Sequence, residues 1–222
     1  MTPVAVAIMA KAPTVGAVKT RLTPPLTPAE AARLYHCFLL DKIEQVRTLT
    51  DAHAAVAYTP EEARSVFETL APGFTLLPQR GHDLGARLAN GLAELLARGH
   101  LGAIAIDSDT PTLPGEFLQR GVDLLTRGEA DVVIGPSDDG GYYLIGVRTA
   151  QPELFLDMPW STPTVLSETL RRTHVAGLAT ACLPTWFDVD TRADLERLQA
   201  SLAQLDAAAP AETRRFFTEY HR

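Results

Sequence analysis

Residues 102–111 read GAIAIDSDTP, a short apolar run that leads directly into two aspartates. A run without polar residues on either face predicts a strand buried on both sides, as in a parallel sheet covered by helices. Open sheets of this kind bind ligands beyond the carboxyl ends of their strands. Asp107 and Asp109 stand at that end, and side chains two residues apart share one side of an extended backbone. The stretch therefore predicts an α/β fold that carries an acidic site.

Similar apolar runs recur before and after this strand. They predict further strands at residues 4–10, 52–58, 74–78, 131–135 and 142–147. Apolar residues at helical spacing predict covering helices, with stripes at Tyr35, Leu39, Ile43 and Val46, at Leu84, Leu88, Leu92 and Leu95, and at Leu195, Leu198, Leu202 and Leu205. Asp83 precedes the second helix as an N-cap, and Thr191 with Asp194 forms a capping box before the third. The pattern predicts a Rossmann-like α/β fold of three layers, α/β/α, around a mainly parallel sheet.

The composition excludes several classes of protein. The 222 residues are 46% hydrophobic and 21% charged with a mean hydropathy of +0.01, which is typical of a folded globular protein. The net charge of −7 argues against nucleic acid or a membrane surface as a partner. Because the chain has no long apolar run and starts without a basic leader, we expect a cytoplasmic protein. The cysteines and histidines lack metal-ligand spacing, so any metal should be held by oxygen.

The loop after the first strand is rich in cations. Residues 11–22 read KAPTVGAVKTRL, with Lys11, Lys19 and Arg21, and with Gly16 where the backbone must bend. Lysine supplies a point charge and arginine a planar fork for phosphate oxygens, so this loop can wrap the phosphates of a nucleotide. Its spacing matches neither the P-loop nor the dinucleotide-binding glycine motif. The alternative is a basic loop exposed to solvent.

Carboxylates form the second group of candidates. Asp107 and Asp109 are suited to Mg²⁺ or Mn²⁺, because a hard cation takes few carboxylates and completes its shell with water and substrate phosphates. Alternatively, Asp109 only caps the turn before Pro111. Asp190, just before a helix, is either a further metal ligand or a helix cap. We assign Asp107, Asp109 and Asp190 to the metal.

Residues 135–146 read GPSDDGGYYLIG and offer both acids and glycines. Gly140 and Gly141 allow the backbone to approach a ligand closely, and Asp138 or Asp139 could contact a hydroxyl group or a metal. A hairpin turn before the strand at residues 142–147 is the structural alternative, and the two interpretations are compatible. Elsewhere, Asp83 with Arg87 could be a surface pair, and Trp160 with Ser161 could line an acceptor pocket or simply pack.

As a set, these motifs resemble a bacterial family of GT-A-fold proteins that are customarily called glycosyltransferases. The resemblance covers residues 3–206 and rests on MAKAP and VKTRL within residues 9–22, GHDLG at 81–85, DSDTP at 107–111, the 135–146 loop and DVDT at 188–191. The phospholactate and molybdenum-cofactor guanylyltransferases are related to this family. Their first loop carries Lys and Arg onto phosphates, which implies Lys19, Arg21 and Lys11 here. Their metal aspartates imply Asp109, assisted by Asp107, and Asp190.

The resemblance implies a metal-dependent transferase that binds a nucleotide, either an NTP or an NDP-sugar, and a small acceptor. Our first choice is nucleotidyl transfer, in which a phosphorylated acceptor attacks the α-phosphorus while Lys19 and Arg21 neutralise the leaving pyrophosphate. The alternative is glycosyl transfer, which needs a general base such as Asp138 or Asp139. A nucleotide-binding module without catalysis is the third hypothesis. We assign Lys19, Arg21 and Asp139 to catalysis, and to the nucleotide Lys11, Gly16, Lys19, Arg21, Asp83, Ser108, Gly140 and Gly141.

The chain should form one nucleotide-binding transferase domain over residues 1–206, followed by a tail segment over residues 207–222. The tail carries Phe216, Phe217 and Tyr220, which should pack onto the body of the protein or onto a partner. A homodimer is therefore one option.

Overall fold

Seven strands form one sheet in the computed structural model, which describes residues 3–204 and 210–220. The strands are β1 (Val4–Lys11), β2 (Ala52–Thr59), β3 (Thr75–Pro78), β4 (Ala103–Ile106), β5 (Val132–Pro136), β6 (Tyr142–Val147) and β7 (Thr180–Cys182). The helices are α1 (Pro28–Arg47), α2 (Arg64–Leu70), α3 (Leu84–Ala97), α4 (Gly115–Arg127), α5 (Val165–Val175), α6 (Arg192–Gln204) and α7 (Ala211–Tyr220).

The sheet is mainly parallel, with one strand reversed. Its order is β3-β2-β1-β4-β6-β5-β7, and β6 runs antiparallel to both of its neighbours. On one face, Val6 and Ile8 of β1 join an apolar cluster with residues of α1, α2, α4, α6 and α7. On the other face, Ala5 and Ala7 join a cluster with residues of α3, and α5 packs against it. Helices on both faces of the sheet confirm the predicted three-layer α/β/α fold.

The six predicted strands are all present, and the three predicted apolar stripes lie on α1, α3 and α6, although Leu84 of the second stripe is 46% exposed and lies outside the core. Leu205 of the third stripe lies outside the described residues. The sequence pattern did not predict α2, α4, α5, α7 or β7. The buried positions of α5 are Val165, Thr169 and Thr173, and its Leu166 and Leu170 pack against the second apolar cluster.

Both predicted N-caps are confirmed. The Asp83 side chain accepts a hydrogen bond from the Ala86 backbone N–H at 2.7 Å and so begins α3. The Asp194 carboxylate accepts from the Thr191 backbone N–H at 2.7 Å and from the Thr191 hydroxyl group at 2.7 Å. These bonds satisfy donors that the first turn of a helix leaves free.

The aromatic residues near the C-terminus pack onto the body of the same chain. Phe216 and Phe217 are buried in the α7–α1 contact, with exposed fractions of 1% and 7%. Asp41 of α1 holds the start of α7, because its carboxylate accepts from the backbone N–H groups of Glu212 and Thr213 at 2.9 and 2.8 Å. This packing removes the observation that suggested a homodimer. The predicted boundary between residues 206 and 207 lies outside the described residues.

Within residues 3–204 and 210–220, no helix is both long enough and apolar enough to cross a membrane.

Candidate active site

Loops at the carboxyl ends of β1 and β4 enclose a cavity of about 540 Å³, here called the first cavity. Because β1 and β4 are parallel neighbours, with Ile8 paired to Ile106, the loops that follow them meet at one edge of the sheet. The first cavity is lined by Met9, Ala10, Lys11, Ala17, Val18, Lys19, Thr20, Arg21, Tyr35, Gln79, Leu84, Arg87, Ser108, Asp109, Ser161 and Asp190. Six of the predicted site residues are therefore brought together: Lys11, Lys19, Arg21, Ser108, Asp109 and Asp190.

Lys19 is buried between two of these carboxylates. Its Nζ lies 2.8 Å from Asp109 Oδ1 and 2.8 Å from Asp190 Oδ1, and it donates to the Val189 carbonyl oxygen at 2.8 Å. Its side chain is only 4% exposed. Burial alone would lower the pKa of Lys19, but attraction to Asp109 and Asp190 outweighs burial and holds the pKa above its ordinary value. All three ammonium donors have partners, so Lys19 joins the loop after β1 to the end of β4 and to the segment before α6.

The pair of Asp109 and Asp190 fits a divalent cation that arrives with a phosphate ligand. Oδ1 of each carboxylate contacts the Lys19 ammonium group. The Asp109 and Asp190 side chains remain 33% and 46% exposed, and both line the first cavity. Mg²⁺ is commonly held by one or two carboxylates, with water and substrate phosphates as its other ligands. In the described part of the chain, no cluster of three or more His, Cys, Asp or Glu residues is arranged as a metal site.

The structure argues against the cap interpretations of Asp109 and Asp190. Asp109 does not cap the turn before Pro111, since its carboxylate lies against Lys19. Asp107 makes that local bond instead, with Oδ1 accepting from the Thr110 hydroxyl group at 2.7 Å. Asp190 likewise contacts Lys19 rather than capping α6.

Asp107 belongs to a buried network behind the first cavity and is not among the residues that line it. The network includes Lys42 of α1, which is 1% exposed and donates to the Thr110 carbonyl oxygen at 3.0 Å and to the Thr110 hydroxyl oxygen at 3.0 Å. Burial lowers the pKa of Lys42 to about 8, against the attraction of Asp107 and other carboxylates. Burial also raises the pKa of Asp107, with Lys42 opposing it. Asp107 Oδ2 is buried without a hydrogen-bond partner.

The remaining cations of the first loop are open to solvent. Lys11 is exposed, and Arg21 is 71% exposed with Nη1 3.8 Å from Asp190 Oδ2. Gly16 has a φ of 77°, which confirms the predicted bend, but it does not line the first cavity. Ser108 lies in the wall, where it donates to the Met9 carbonyl oxygen at 3.1 Å. Asp83 is occupied as the cap of α3 and lines neither cavity described in this section.

The loop at residues 137–141 is a hairpin turn, as one of the two compatible interpretations predicted. Ser137 N–H donates to the Gly141 carbonyl oxygen at 3.0 Å, and Asp139 Oδ1 accepts from the Gly141 N–H at 2.8 Å. Gly140 has a φ of 91°, and a Cβ there would lie 2.6 Å from Pro163 Cα. The close approach at Gly140 is thus to another loop of the protein. Asp138 turns away to form an ion pair with Arg197.

A second cavity, of about 330 Å³, adjoins the first. It is lined by Arg21, Leu84, Asp139, Gly141, Tyr142, Trp160, Ser161, Thr162, Pro163, Val165, Asp188 and Asp190. Arg21, Leu84, Ser161 and Asp190 line both cavities, so the two meet beside Asp190. Trp160 and Ser161 therefore line a pocket, which was one of their two predicted roles.

Sequence reasoning missed Asp188, Lys42 and Tyr35 as residues of this region. Asp188 accepts from the Ser137 hydroxyl group at 2.5 Å, and burial followed by the nearby Asp107 raises the pKa of Asp188 well above the usual aspartate range. The apolar stripe predicts Tyr35 only as a core residue. Its hydroxyl group lies 2.9 Å from Ser108 Oγ and accepts a hydrogen bond from the Lys11 N–H at 3.0 Å. For Lys42, the sequence did contain a signal, because this lysine lies four residues before Val46 and therefore on the apolar stripe of α1.

Comparisons with known proteins agree with this architecture. A family model described as "Uncharacterized protein conserved in bacteria (DUF2064)" matches residues 42–162, more than half of the chain. A solved protein from Desulfovibrio desulfuricans G20, named as a nucleotide-diphospho-sugar transferase, is 30% identical; the match covers 100% of this chain and 96% of that one, with a TM-score of 0.91. No curated protein matches the sequence.

Two further structures share the fold at low identity. Molybdopterin-guanine dinucleotide biosynthesis protein A from Archaeoglobus fulgidus is 14% identical over 90% of this chain and 100% of that chain, with a TM-score of 0.55. Glucosyl-3-phosphoglycerate synthase from Mycobacterium tuberculosis, solved with Mn²⁺, UDP and glucosyl-3-phosphoglycerate, is 15% identical over 91% of this chain and 77% of that chain, with a TM-score of 0.52. The resemblance inferred from the motifs is thereby confirmed for the fold. By the family model, the chain belongs to the bacterial family described as DUF2064.

Proposed function

We propose that this protein is a metal-dependent transferase that binds a nucleotide in the first cavity and transfers part of it to a small acceptor. One observation carries the proposal: Asp109 and Asp190 are held together by the buried Lys19 ammonium group and line a cavity that the cationic loop after β1 also lines. Carboxylates, a divalent cation and basic side chains around one cavity are the groups that bind and neutralise nucleotide phosphates.

The proposal gives a role to five charged side chains of the first cavity. The carboxylates of Asp109 and Asp190 would hold Mg²⁺ or Mn²⁺, which when bound neutralises charge on the phosphates. Lys11 and Arg21 are exposed cations on the cavity wall and would contact phosphate oxygens directly. Lys19 would fix the separation of the two carboxylates and add positive charge next to the phosphates.

Nucleotidyl transfer is our first candidate reaction. The acceptor oxygen would bond to the α-phosphorus of an NTP while pyrophosphate leaves, and Arg21 together with Lys19 would offset the charge that develops on it. This reaction needs no protein nucleophile. It is favoured by Lys11 and Arg21, which place two cations beside the carboxylate pair.

Glycosyl transfer from an NDP-sugar is the second candidate, and a different observation favours it. Asp139 and Asp188 line the second cavity, which meets the first beside Asp190. A carboxylate at this junction could take the proton of an acceptor hydroxyl group, which glycosyl transfer requires. Asp139 is the more exposed of the two carboxylates.

The test combines binding with product analysis. Thermal unfolding is measured with each NTP, NDP and NDP-sugar in Mg²⁺, in Mn²⁺ and in EDTA, because a ligand that binds only the folded state raises its stability. We expect a metal-dependent increase with at least one nucleotide. Release of pyrophosphate from an NTP in the presence of acceptors would identify nucleotidyl transfer, whereas release of an NDP from a nucleotide sugar would identify glycosyl transfer.

Asp109→Asn is the decisive variant. It should remove the metal-dependent part of the nucleotide shift, since it removes a charged ligand while keeping the side-chain shape. Asp123→Asn on α4 is the matched control, because the partners of Asp123 within the described residues are Arg127 and Gln119 of its own helix, and Asp123 lies outside both cavities. An unchanged metal-dependent shift in Asp109→Asn would contradict the metal assignment. A nucleotide shift without turnover of any donor would favour the non-catalytic binding module.

A further inference from the structure

One face of α1 contacts the segment that carries Asp109. Tyr35 and Lys42 are seven residues apart, which is about two turns of an α-helix, so they share that face. Both side chains are buried, with exposed fractions of 4% and 1% for the two residues. A buried hydroxyl or ammonium group needs hydrogen-bond partners, because burial without them costs free energy. Both groups find partners in residues 108–110, the segment that follows β4.

Tyr35 holds Ser108, the residue before Asp109. Ser108 donates its proton to the Met9 carbonyl oxygen at 3.1 Å, so Tyr35 is the donor in the 2.9 Å contact between the two hydroxyl groups. The Tyr35 oxygen in turn accepts a hydrogen bond from the Lys11 N–H at 3.0 Å. Tyr35 therefore joins the end of β1 to the segment after β4.

Lys42 holds Thr110, the residue after Asp109. Its Nζ donates to the carbonyl oxygen and to the hydroxyl oxygen of Thr110, each at 3.0 Å, and to Gln45 Oε1 at 3.0 Å. All three ammonium protons are thus used. The Thr110 hydroxyl group donates to Asp107 Oδ1 at 2.7 Å, and Thr110 is 0% exposed. Thr110 is therefore fixed through both its main chain and its side chain.

Asp109 lies between these two fixed residues. Its segment is outside β4, so side-chain contacts contribute to where the backbone lies. The Asp109 carbonyl oxygen accepts from the Val189 N–H at 3.0 Å, and its carboxylate lies 2.8 Å from Lys19 Nζ in the wall of the first cavity. Fixing Ser108 and Thr110 restricts the backbone of Asp109 and thereby restricts the position of its carboxylate.

We propose that Tyr35 and Lys42 are positioning residues for Asp109: by holding its two neighbours, they set where the carboxylate meets Lys19 and the divalent cation. The part that concerns the cation rests on the proposed function. Replacing residues that orient metal ligands typically lowers metal affinity by about 10–100-fold. We therefore expect a loss of about tenfold when the contact on either side of Asp109 is removed.

Metal affinity tests the proposal directly. The relaxation rate of water protons, which increases when Mn²⁺ binds to a protein, is measured during titration with Mn²⁺ alone and with Mn²⁺ plus each of ATP, GTP, CTP and UTP. Tyr35→Phe and Thr110→Val each remove one hydroxyl group and should weaken Mn²⁺ binding about tenfold. Thr110→Ser keeps the hydroxyl group and should bind Mn²⁺ as tightly as the unmodified protein.

Two further variants separate position from other effects. Tyr58→Phe also removes the hydroxyl group of a buried tyrosine, but Tyr58 lies on β2 and outside both cavities, so Mn²⁺ affinity should not change. Lys42→Met removes a positive charge that attracts Asp109, and by charge alone this would strengthen the binding of a cation. Weaker Mn²⁺ binding by Lys42→Met therefore reports a change of position. If Lys42→Met does not fold, Thr110→Val tests the same side of Asp109.

A second measurement does not depend on metal. Thermal unfolding in EDTA compares the effect of Tyr35→Phe in the unmodified protein with its effect in Lys19→Met. If Tyr35 sets the position of Asp109 against Lys19, its substitution should lower Tm less in Lys19→Met, because the contact that it positions is already lost. Tyr58→Phe should lower Tm by the same amount in both backgrounds.

The outcomes distinguish this inference from the proposed function. Mn²⁺ affinity that is not reduced in Tyr35→Phe, in Thr110→Val or in Lys42→Met overturns the inference, as does an equal loss in Thr110→Ser; nucleotide-dependent Mn²⁺ binding by the unmodified protein then leaves the proposed function standing. An unmodified protein that binds no Mn²⁺ with any nucleotide overturns the metal-dependent function. The comparison in EDTA then decides the inference: equal decreases in Tm overturn it, and a smaller decrease in Lys19→Met supports it.

Discussion

Replacing Lys19 by methionine tests the central ion bridge of the site. Methionine keeps most of the length of the side chain but removes the ammonium group that lies 2.8 Å from both Asp109 and Asp190. The variant leaves two carboxylates facing each other without the cation between them. We therefore expect a less stable protein when no divalent cation is present.

The structure sets the size of the effect. Breaking a fully buried ion pair by removing one partner costs about 3–5 kcal/mol. Lys19 is 4% exposed, but Asp109 and Asp190 are 33% and 46% exposed, so water screens the two remaining charges. We expect a loss of about 2–3 kcal/mol in the free energy of unfolding, or a decrease of about 5–10 °C in Tm for a chain of this length.

The assay is urea and thermal unfolding in EDTA, repeated with Mg²⁺ and with Mn²⁺. The cation should restore much of the stability of Lys19→Met, because it can occupy the position between the carboxylates, and it should stabilise the unmodified protein less. Lys11→Met is the matched control, since Lys11 belongs to the same loop but is exposed, and its substitution should change stability by no more than about 0.5 kcal/mol. A Lys19→Met variant as stable in EDTA as the control would refute the buried bridge.

Three further substitutions probe the parts of the fold that support the site. Glu168→Gln on α5 should lower Tm at neutral pH, and its Tm should approach that of the unmodified protein near pH 2. Hydrogen bonds from neighbouring arginines lower the pKa of Glu168 to about 2, so its contribution to stability is present above the unfolded-chain pKa of about 4.3 and is lost as the pH falls through the folded value. Parallel curves of Tm against pH for the two proteins from pH 7 to pH 2 would contradict this. Gly140→Ala should lower the free energy of unfolding in urea by more than about 2 kcal/mol, since the φ of Gly140 is 91° and the new Cβ would meet Pro163. An unchanged free energy of unfolding would show that the hairpin can shift. Asp41→Ala should lower the free energy of unfolding by about 1–2 kcal/mol and increase hydrogen exchange in α7, because Asp41 accepts hydrogen bonds from the first N–H groups of α7. Unchanged exchange in α7 would argue against that anchor.

Some elements could be predicted from the sequence because their signals are local. The strand at residues 103–106 is apolar throughout, and the cap of α3 is an aspartate three residues before the N–H that it accepts. In contrast, β7 has only three residues, which is too short for a periodic signal, and two of the three buried positions of α5 are threonines. β7 is placed by its pairing with β5, and α5 is placed by its contacts with β7 and with the second apolar cluster.

The residues of the candidate site were also predictable only in part. The sequence placed cations and carboxylates at the ends of strands, and the structure gathers six of these residues around one cavity. The sequence did not reveal that Lys19 joins the two carboxylates, nor that Asp107 and Lys42 both bond to Thr110 behind the cavity. Asp188 escaped notice because one more aspartate in an acidic segment has no distinguishing pattern.

By itself, the sequence determined six of the seven strands, the helices α1, α3 and α6 and the loops that carry charge, because these depend on hydrophobic periodicity and on neighbours within a few residues. Only the tertiary structure decided which charges are neighbours. Lys19 and Asp190 are 171 residues apart in the chain and 2.8 Å apart in space. The energy of an ion pair depends on that short distance and on burial, and both are set by how β1, β4 and the segment before α6 pack together.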